Sequence, residues 1–179
     1  MTAADPAPSS ESDLVARLKL GDEDAAHEFF DRYSARIRRF IASSLGMEAE
    51  ADDILQETFI ALADALPFFR GESSLFTFAC AIAHRKVQSF VRTNARRARL
   101  LRAAPIDDDM RPSEANAHPE FRRALGELRP EYREVLILKY VEEIGVTEIA
   151  SILRLSEHAV ESRLARARKA LRKKLEEEQ

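Results

Sequence analysis

Seven prolines, at positions 6, 8, 67, 105, 112, 119 and 130, divide the chain into blocks 9–66, 68–104 and 131–179 that contain none. Proline deletes a backbone donor and clashes with the preceding helical turn, so long helices are confined to those blocks. Glycine is scarce as well, at 21, 46, 71, 126 and 145 only. Both patterns predict helices joined by short connections, and exclude a collagen-like or glycine-rich β fold. A length of 179 residues favours one large domain or two small ones.

Other classes fall to composition. The lone cysteine, Cys80, excludes an internal disulfide framework. The segment MTAADPAPSSESD is acidic and lacks the apolar stretch of a signal peptide. No apolar run approaches the ~20 residues of a membrane span, so the expected setting is the cytoplasm, without membrane insertion. The four histidines (27, 84, 118, 158) show no metal-ligand spacing, and no nucleophilic or metal constellation is apparent; neither catalysis nor a cofactor is expected.

The net charge of −3 conceals strong segregation. Residues 1–66 carry −8, residues 67–104 carry +7, residues 105–120 carry −4 and residues 145–175 carry +5. Two basic blocks around an acidic one suggest two polyanion contacts on one chain.

Residues 1–12 read as disordered. A helical pattern begins at Asp13 and breaks at Gly21-Asp22; Asp24 is a candidate cap for the next helix, which ends near Gly46. Over 49–66 a helix has a split surface. Ile54, Leu55, Thr58, Phe59, Leu62 and Leu66 share one face, while Asp53, Gln56, Glu57, Ile60 and Asp64 share the other. An isoleucine rimmed by carboxylates suits a partner surface. After the loop 67–74, a helix over about 75–97 carries His84, Arg85, Gln88, Ser89, Arg92 and Arg96 in one polar arc, with Phe78 at its edge. A basic stripe beside an aromatic suits single-stranded nucleic acid, guanidinium groups tracking phosphates and rings stacking on bases. Residues 100–118, with three nearby prolines and Asp107 to Asp109, read as a flexible linker.

The C-terminal unit, 119–175, predicts a helix from Pro130, a short helix over 146–153, a tight turn and a long helix capped by Ser156. Val160, Leu164, Ala167, Leu171 and Leu175 form its inner stripe; His158, Ser162, Arg166 and Lys169 point outward. This is a helix-turn-helix with a basic second helix, shaped for a major groove. Residues 176–179 form an acidic tail. The fold class expected is all-α: two small helical domains, 13–99 and 119–175, joined by the linker.

Six segments resemble motifs of the bacterial extracytoplasmic-function (ECF) sigma factors of the sigma-70 family: 13–22 (DLVARLKLGD), 29–40 (FFDRYSARIRRF), 51–59 (ADDILQETF), 69–77 (FRGESSLFT), 128–139 (LRPEYREVLILK) and 148–171 (EIASILRLSEHAVESRLARARKAL). The resemblance implies a specificity subunit of RNA polymerase rather than an enzyme. Asp53, Gln56, Glu57 and Ile60 would meet the clamp coiled coil of the polymerase β′ subunit. Arg70, Ser73, Ser74, Phe78, His84, Arg85, Gln88, Arg92 and Arg96 would hold the unpaired −10 strand. Ser156, His158, Ser162, Arg163, Arg166 and Lys169 would read the −35 duplex, beside a contact with the β flap. An anti-sigma factor is an expected further partner. The alternative is a stand-alone helix-turn-helix regulator, which leaves 53–64 and 68–99 without a role.

The chain departs from the family pattern in places. Phe78 stands where Trp is usual, Arg85 where Asn is common, Ser89 where Asp is frequent, Glu161 where Lys is common, and Arg154 where the turn usually carries Gly. Arg154 is therefore expected to bear the left-handed conformation of that turn.

Overall fold

The computed structural model describes residues 10–45, 50–101 and 119–177. Among them every regular element is helical: α1 (Glu11–Lys19), α2 (Glu23–Leu45), α3 (Ala51–Ala65), α4 (Leu75–Leu101), α5 (Pro119–Gly126), α6 (Pro130–Leu136), α7 (Val146–Leu153) and α8 (Glu157–Glu177). A 3₁₀ turn, Leu66–Phe68, extends α3, and a π-helical turn, Ile137–Val141, extends α6. None of these helices is long and apolar enough to cross a membrane.

Local chemistry sets the boundaries. The hydroxyl of Ser10 accepts from Asp13 N at 3.2 Å, so α1 starts at Glu11 and residues 10–12 belong to it, not to a disordered end. Gly21 turns the chain at φ +76°. Asp22, rather than Asp24, caps α2: its Oδ1 accepts from the backbone of Asp24 and Ala25 at 2.9 and 3.2 Å. The reason is reach, because a cap must precede the orphan donors it satisfies. Arg17 donates to the other oxygen at 2.8 Å and holds the Asp22 carboxyl below its ordinary value, so the cap stays charged at neutral pH. Pro130 opens α6, where its missing N–H is not needed. Ser156 accepts from Ala159 N and caps α8.

The long elements run further than their sequence patterns. Helix α4 continues to Leu101, and Glu176 and Glu177 extend α8 instead of forming a separate tail. The rest of the expected linker with Asp107 to Asp109, the N-terminal residues 1–9, Gly46 and residues 178–179 lie outside the described residues.

In the N-terminal unit, α2 and α4 bury Ile37, Phe40, Ile41, Ala79, Ala83 and Val87 between them, and α3 adds Ile54, Leu55 and Leu62. Phe29 bridges α2 to α3, its ring 5.8 Å from Phe59 in an edge-on contact. In the C-terminal unit Val135 and Leu138 pack with Ile149 and Ile152 of α7 and with Val160, Leu164 and Ala167 of α8. Burial pushes the Cys80 thiol far up, leaving it a small apolar filler.

Arg154 takes the left-handed conformation (φ 55°, ψ 47°) in the turn between α7 and α8. A side chain there costs about 1 kcal/mol. Arg154→Gly is therefore expected to raise the thermal midpoint by a few degrees; an unchanged or lower midpoint in a denaturation scan contradicts that assignment of strain.

Candidate nucleic-acid and polymerase interface

Three surfaces carry the residues singled out from sequence. On α3, Asp53, Gln56 and Glu57 are exposed, and Ile60 is 67% exposed among them. Lys86 reaches across from α4 to Glu57 at 3.3 Å. Phe30 of α2, half exposed with its ring 5.5 Å from Phe59, adds an apolar surface that sequence reasoning missed.

On α4 the structure brings Arg85, Gln88, Arg92 and Arg96 to one exposed arc. Arg85 lies along the helix, donating to Ala81 O at 3.3 Å. The loop before α4 is open: Arg70 is 83% exposed, and Gly71 turns at φ +74°. Ser73 and Ser74 are half-buried. Ser74 caps α4, its hydroxyl accepting from Thr77 N at 3.0 Å. Phe78 is not aligned with the arginines; its ring packs against Phe69 at 4.8 Å and backs the loop.

His84 departs from the arc. Its side chain is 12% exposed, and Nδ1 lies 2.7 Å from Glu134 Oε1 of α6. The expectation of two units separated by a linker thus meets a closed arrangement in which α6 and α7 pack on α2 and α4. One apolar cluster runs through both units. Polar ties reinforce it. Glu142, with a side chain 1% exposed, accepts from Arg36 Nε and from Arg39 Nη1, each at 2.7 Å. The Arg36 guanidinium also lies over the Phe76 ring, 3.8 Å from its centroid. Ser44 donates to Glu134 at 3.2 Å, and Thr77 donates to Glu148 at 2.8 Å. In all these ties the carboxylate belongs to the C-terminal unit. The π-helical turn aims one of them: Glu142 N bonds Ile137 O at 2.9 Å, and the widened turn delivers the Glu142 side chain to α2.

On α8, His158, Arg166 and Lys169 are exposed, and Ser156 is exposed as the cap. Arg166 donates to the Ser162 hydroxyl at 2.8 Å, pre-aligning two of the expected base-reading groups. Arg163 is half-buried and lines, with His84 and Gln88, a polar cleft of about 330 Å³ between the units. Groups expected to read the two promoter elements therefore face one cleft.

The comparisons with known proteins agree on one family. Residues 29–97 match Sigma-70 region 2, and residues 118–171 match Sigma-70, region 4. The ECF RNA polymerase sigma factor SigC of Mycobacterium tuberculosis is 30% identical over 173 residues, covering 92% of this chain and 93% of that protein. SigW of Bacillus subtilis, also an ECF RNA polymerase sigma factor, is 27% identical over 176 residues, covering 90% and 94%. Among solved structures, CnrH, captured with the cytosolic domain of CnrY, superposes with a TM-score of 0.70 at 26% identity, covering 96% of this chain and all of that one. RpoE of Bartonella quintana, bound to the anti-sigma factor NepR, gives a TM-score of 0.77 at 22% identity over 86% and 98%, a likeness of fold.

The two regions, in this order on an all-α chain, define a sigma-70 family factor. The chain belongs to the ECF RNA polymerase sigma factors: it is a promoter-specificity subunit rather than an enzyme.

Removing the Glu142 charge leaves two part-exposed guanidinium groups with only a neutral side chain between them, a loss of roughly 1–3 kcal/mol. Glu142→Gln is expected to expand the free protein, read as a larger radius of gyration by X-ray scattering, with helicity unchanged. An unchanged radius contradicts the role of this clasp in closure.

Proposed function

We propose that this sigma factor divides its work among the three surfaces. The exposed face of α3, with Asp53, Gln56, Glu57 and Ile60, docks on the β′ clamp coiled coil of core polymerase. The 70–74 loop and α4 hold the unpaired −10 strand. Arg70, Arg85, Gln88, Arg92 and Arg96 supply donors and charge; Ser73 lines the loop; Ser74 and Phe78 fix its shape. Helix α8 enters the major groove at −35 through Ser156, His158, Ser162, Arg163 and Arg166, with Lys169 toward phosphates, while the C-terminal unit touches the β flap. The observation that carries this reading is the exposed basic arc of α4 beside an open loop, a combination that suits unpaired DNA.

Promoter reading requires the closed form to open. The two elements lie about 25 positions apart, or ~85 Å of duplex at 3.4 Å per base pair. DNA this short is stiff against its ~150 base-pair persistence length. His84 and Arg163 line one cleft and cannot reach both elements together. Opening also frees His84 for the −10 strand. Acting on RNA polymerase, the protein works in the cytoplasm. An anti-sigma factor is a further partner, the class of protein with which RpoE of Bartonella quintana, alike in fold, was captured. The region 2 match over residues 29–97 disfavours a stand-alone regulator, which has no use for that unit.

Run-off transcription with bacterial core polymerase on pooled genomic fragments tests the assignment. Discrete starts are expected only when the protein is added. Glu57→Arg combined with Ile60→Asp should lower core binding at least tenfold without loss of helicity. Arg92→Ala with Arg96→Ala should weaken promoter complexes and reduce the slope of log affinity against log salt by about 1.4. Starts that survive the α3 pair, or a salt slope that survives the α4 pair, overturn the corresponding surface.

A further inference from the structure

The closed contact sets three carboxylates of the C-terminal unit on one row of polar groups. Glu142 accepts from Arg36 and Arg39 of α2, each at 2.7 Å. Glu148 accepts from the Thr77 hydroxyl of α4 at 2.8 Å. Glu134 accepts from the Ser44 hydroxyl at 3.2 Å and meets His84 Nδ1 at 2.7 Å. Thr77 and His84 are two turns apart on α4 and so share a face, ~10 Å from end to end at 1.5 Å per residue. The row has no acid of its own: α4 contains neither Asp nor Glu, and α2 contains none after Asp31. One turn beyond His84, Gln88 lines the same cleft and belongs to the exposed arc that continues to Arg92 and Arg96. A covered row and an exposed arc thus form one track on the N-terminal unit, and the covered half meets acids only while the chain is closed.

We infer that the row between α2 and α4 is a second backbone-binding site for promoter DNA: Arg36 and Arg39 hold phosphates in the open form, and Glu142, Glu134 and Glu148 stand in for phosphates in the closed form. This rests on the reading of α4 as a DNA surface given above. DNA carries one charge per ~3.4 Å along each strand, so a row of ~10 Å faces about three phosphates. Guanidinium groups suit that anion, because their forked donors match carboxylate and phosphate alike. Arg36 is held ready, its guanidinium 3.8 Å from the centroid of the Phe76 ring. Arg36 and Arg39 keep much of their side chains exposed under the clasp, so a phosphate can approach them before Glu142 has left. Continuity with the arc through Gln88 makes DNA the occupant, since a strand lying along Arg92 and Arg85 runs on into the row. Promoter phosphates and C-terminal carboxylates therefore compete for the same two arginines, which couples engagement of DNA by α4 to opening of the chain.

The test uses full-length protein in holoenzyme with bacterial core polymerase, and a fluorescent promoter fragment chosen from the run-off starts. Promoter affinity is measured across a salt series, and core affinity is measured alongside. Arg36→Ala with Arg39→Ala breaks the clasp, and so does Glu142→Gln, but their effects on DNA are expected to differ. The alanine pair should lower promoter affinity at least fivefold and reduce the salt slope by about 1.4 to 1.8, at 0.7 per phosphate on a single strand and 0.9 on a duplex. Glu142→Gln should keep the wild-type slope without loss of affinity. Arg36→Lys with Arg39→Lys, which keeps both charges, should restore most of the slope. Arg39→Ala alone, which leaves Arg36 on Phe76, should give about half the change and serves where the double variant fails a thermal melt. An alanine pair that matches Glu142→Gln in slope and affinity assigns the arginines to closure alone and overturns the site. A loss of promoter complexes accounted for by weaker core binding overturns it too, and makes an acidic surface of polymerase the occupant. Either result, with Arg92→Ala and Arg96→Ala still lowering the slope, leaves the proposed function intact; a slope unmoved by both pairs overturns the DNA surface of α4 itself.

Discussion

The buried carboxylate of Glu142, clasped by Arg36 and Arg39, is the interaction on which the arrangement of this molecule depends. A carboxylate with 1% of its side chain exposed is tolerable only where opposite charge and hydrogen bonds replace its lost water. Both guanidinium groups come from α2, three residues apart and so on one helical face. The acid comes from the far end of a π-helical turn more than a hundred residues later. Satisfying it brings the two units together, and that closure covers His84 and aligns Thr77 with Glu148.

The chemistry of the closed contact suits an interface that must part. Its polar ties all place an acid of the C-terminal unit on donors of the N-terminal unit. That unit therefore presents to α2 and α4 the kind of charge that DNA phosphates present. An arginine pair that bonds a carboxylate in the closed form can face solvent or a polyanion after opening, since Arg36 and Arg39 are 38% and 47% exposed even when clasped. The guanidinium groups thus exchange partners instead of being stranded, which keeps opening affordable to a polymerase and a promoter that bind the open form. The face of α3 proposed to dock on polymerase is exposed in the closed form. The open loop before α4 is free as well, whereas His84 and Arg163 are withheld.

Much of this was legible in the sequence, for identifiable reasons. The spacing of Val160, Leu164, Ala167 and Leu171 against His158, Ser162 and Arg166 gave both faces of α8, because burial follows the helical period directly. The surplus of acids around Ile60 likewise marked an exposed face. Arg154 carried the left-handed turn that its place in the motif required. What escaped were contacts between distant segments. His84 shares a period with the arginines of α4, and nothing local distinguishes it from them; only packing by α6 does. Nothing in the local sequence singles out Glu134 or Glu142. Phe78 was placed beside the basic arc, but the loop folds back and gives its ring Phe69 as a partner. Lys19 and Glu11 carried no signal, since their partners, Phe69 and Leu75, lie 50 and 64 residues further along the chain.

The central claim is that one chain alternates between a closed form and an open form that spans two promoter elements. The distance between the units tests it most directly. Spin labels at the exposed positions Glu23 and Arg172, one in each unit, report that distance by pulsed electron resonance. The account predicts a single short distribution in the free protein and a shift to much longer separations, by tens of ångströms, when core polymerase and promoter DNA are added. The same short distance in the promoter complex contradicts it.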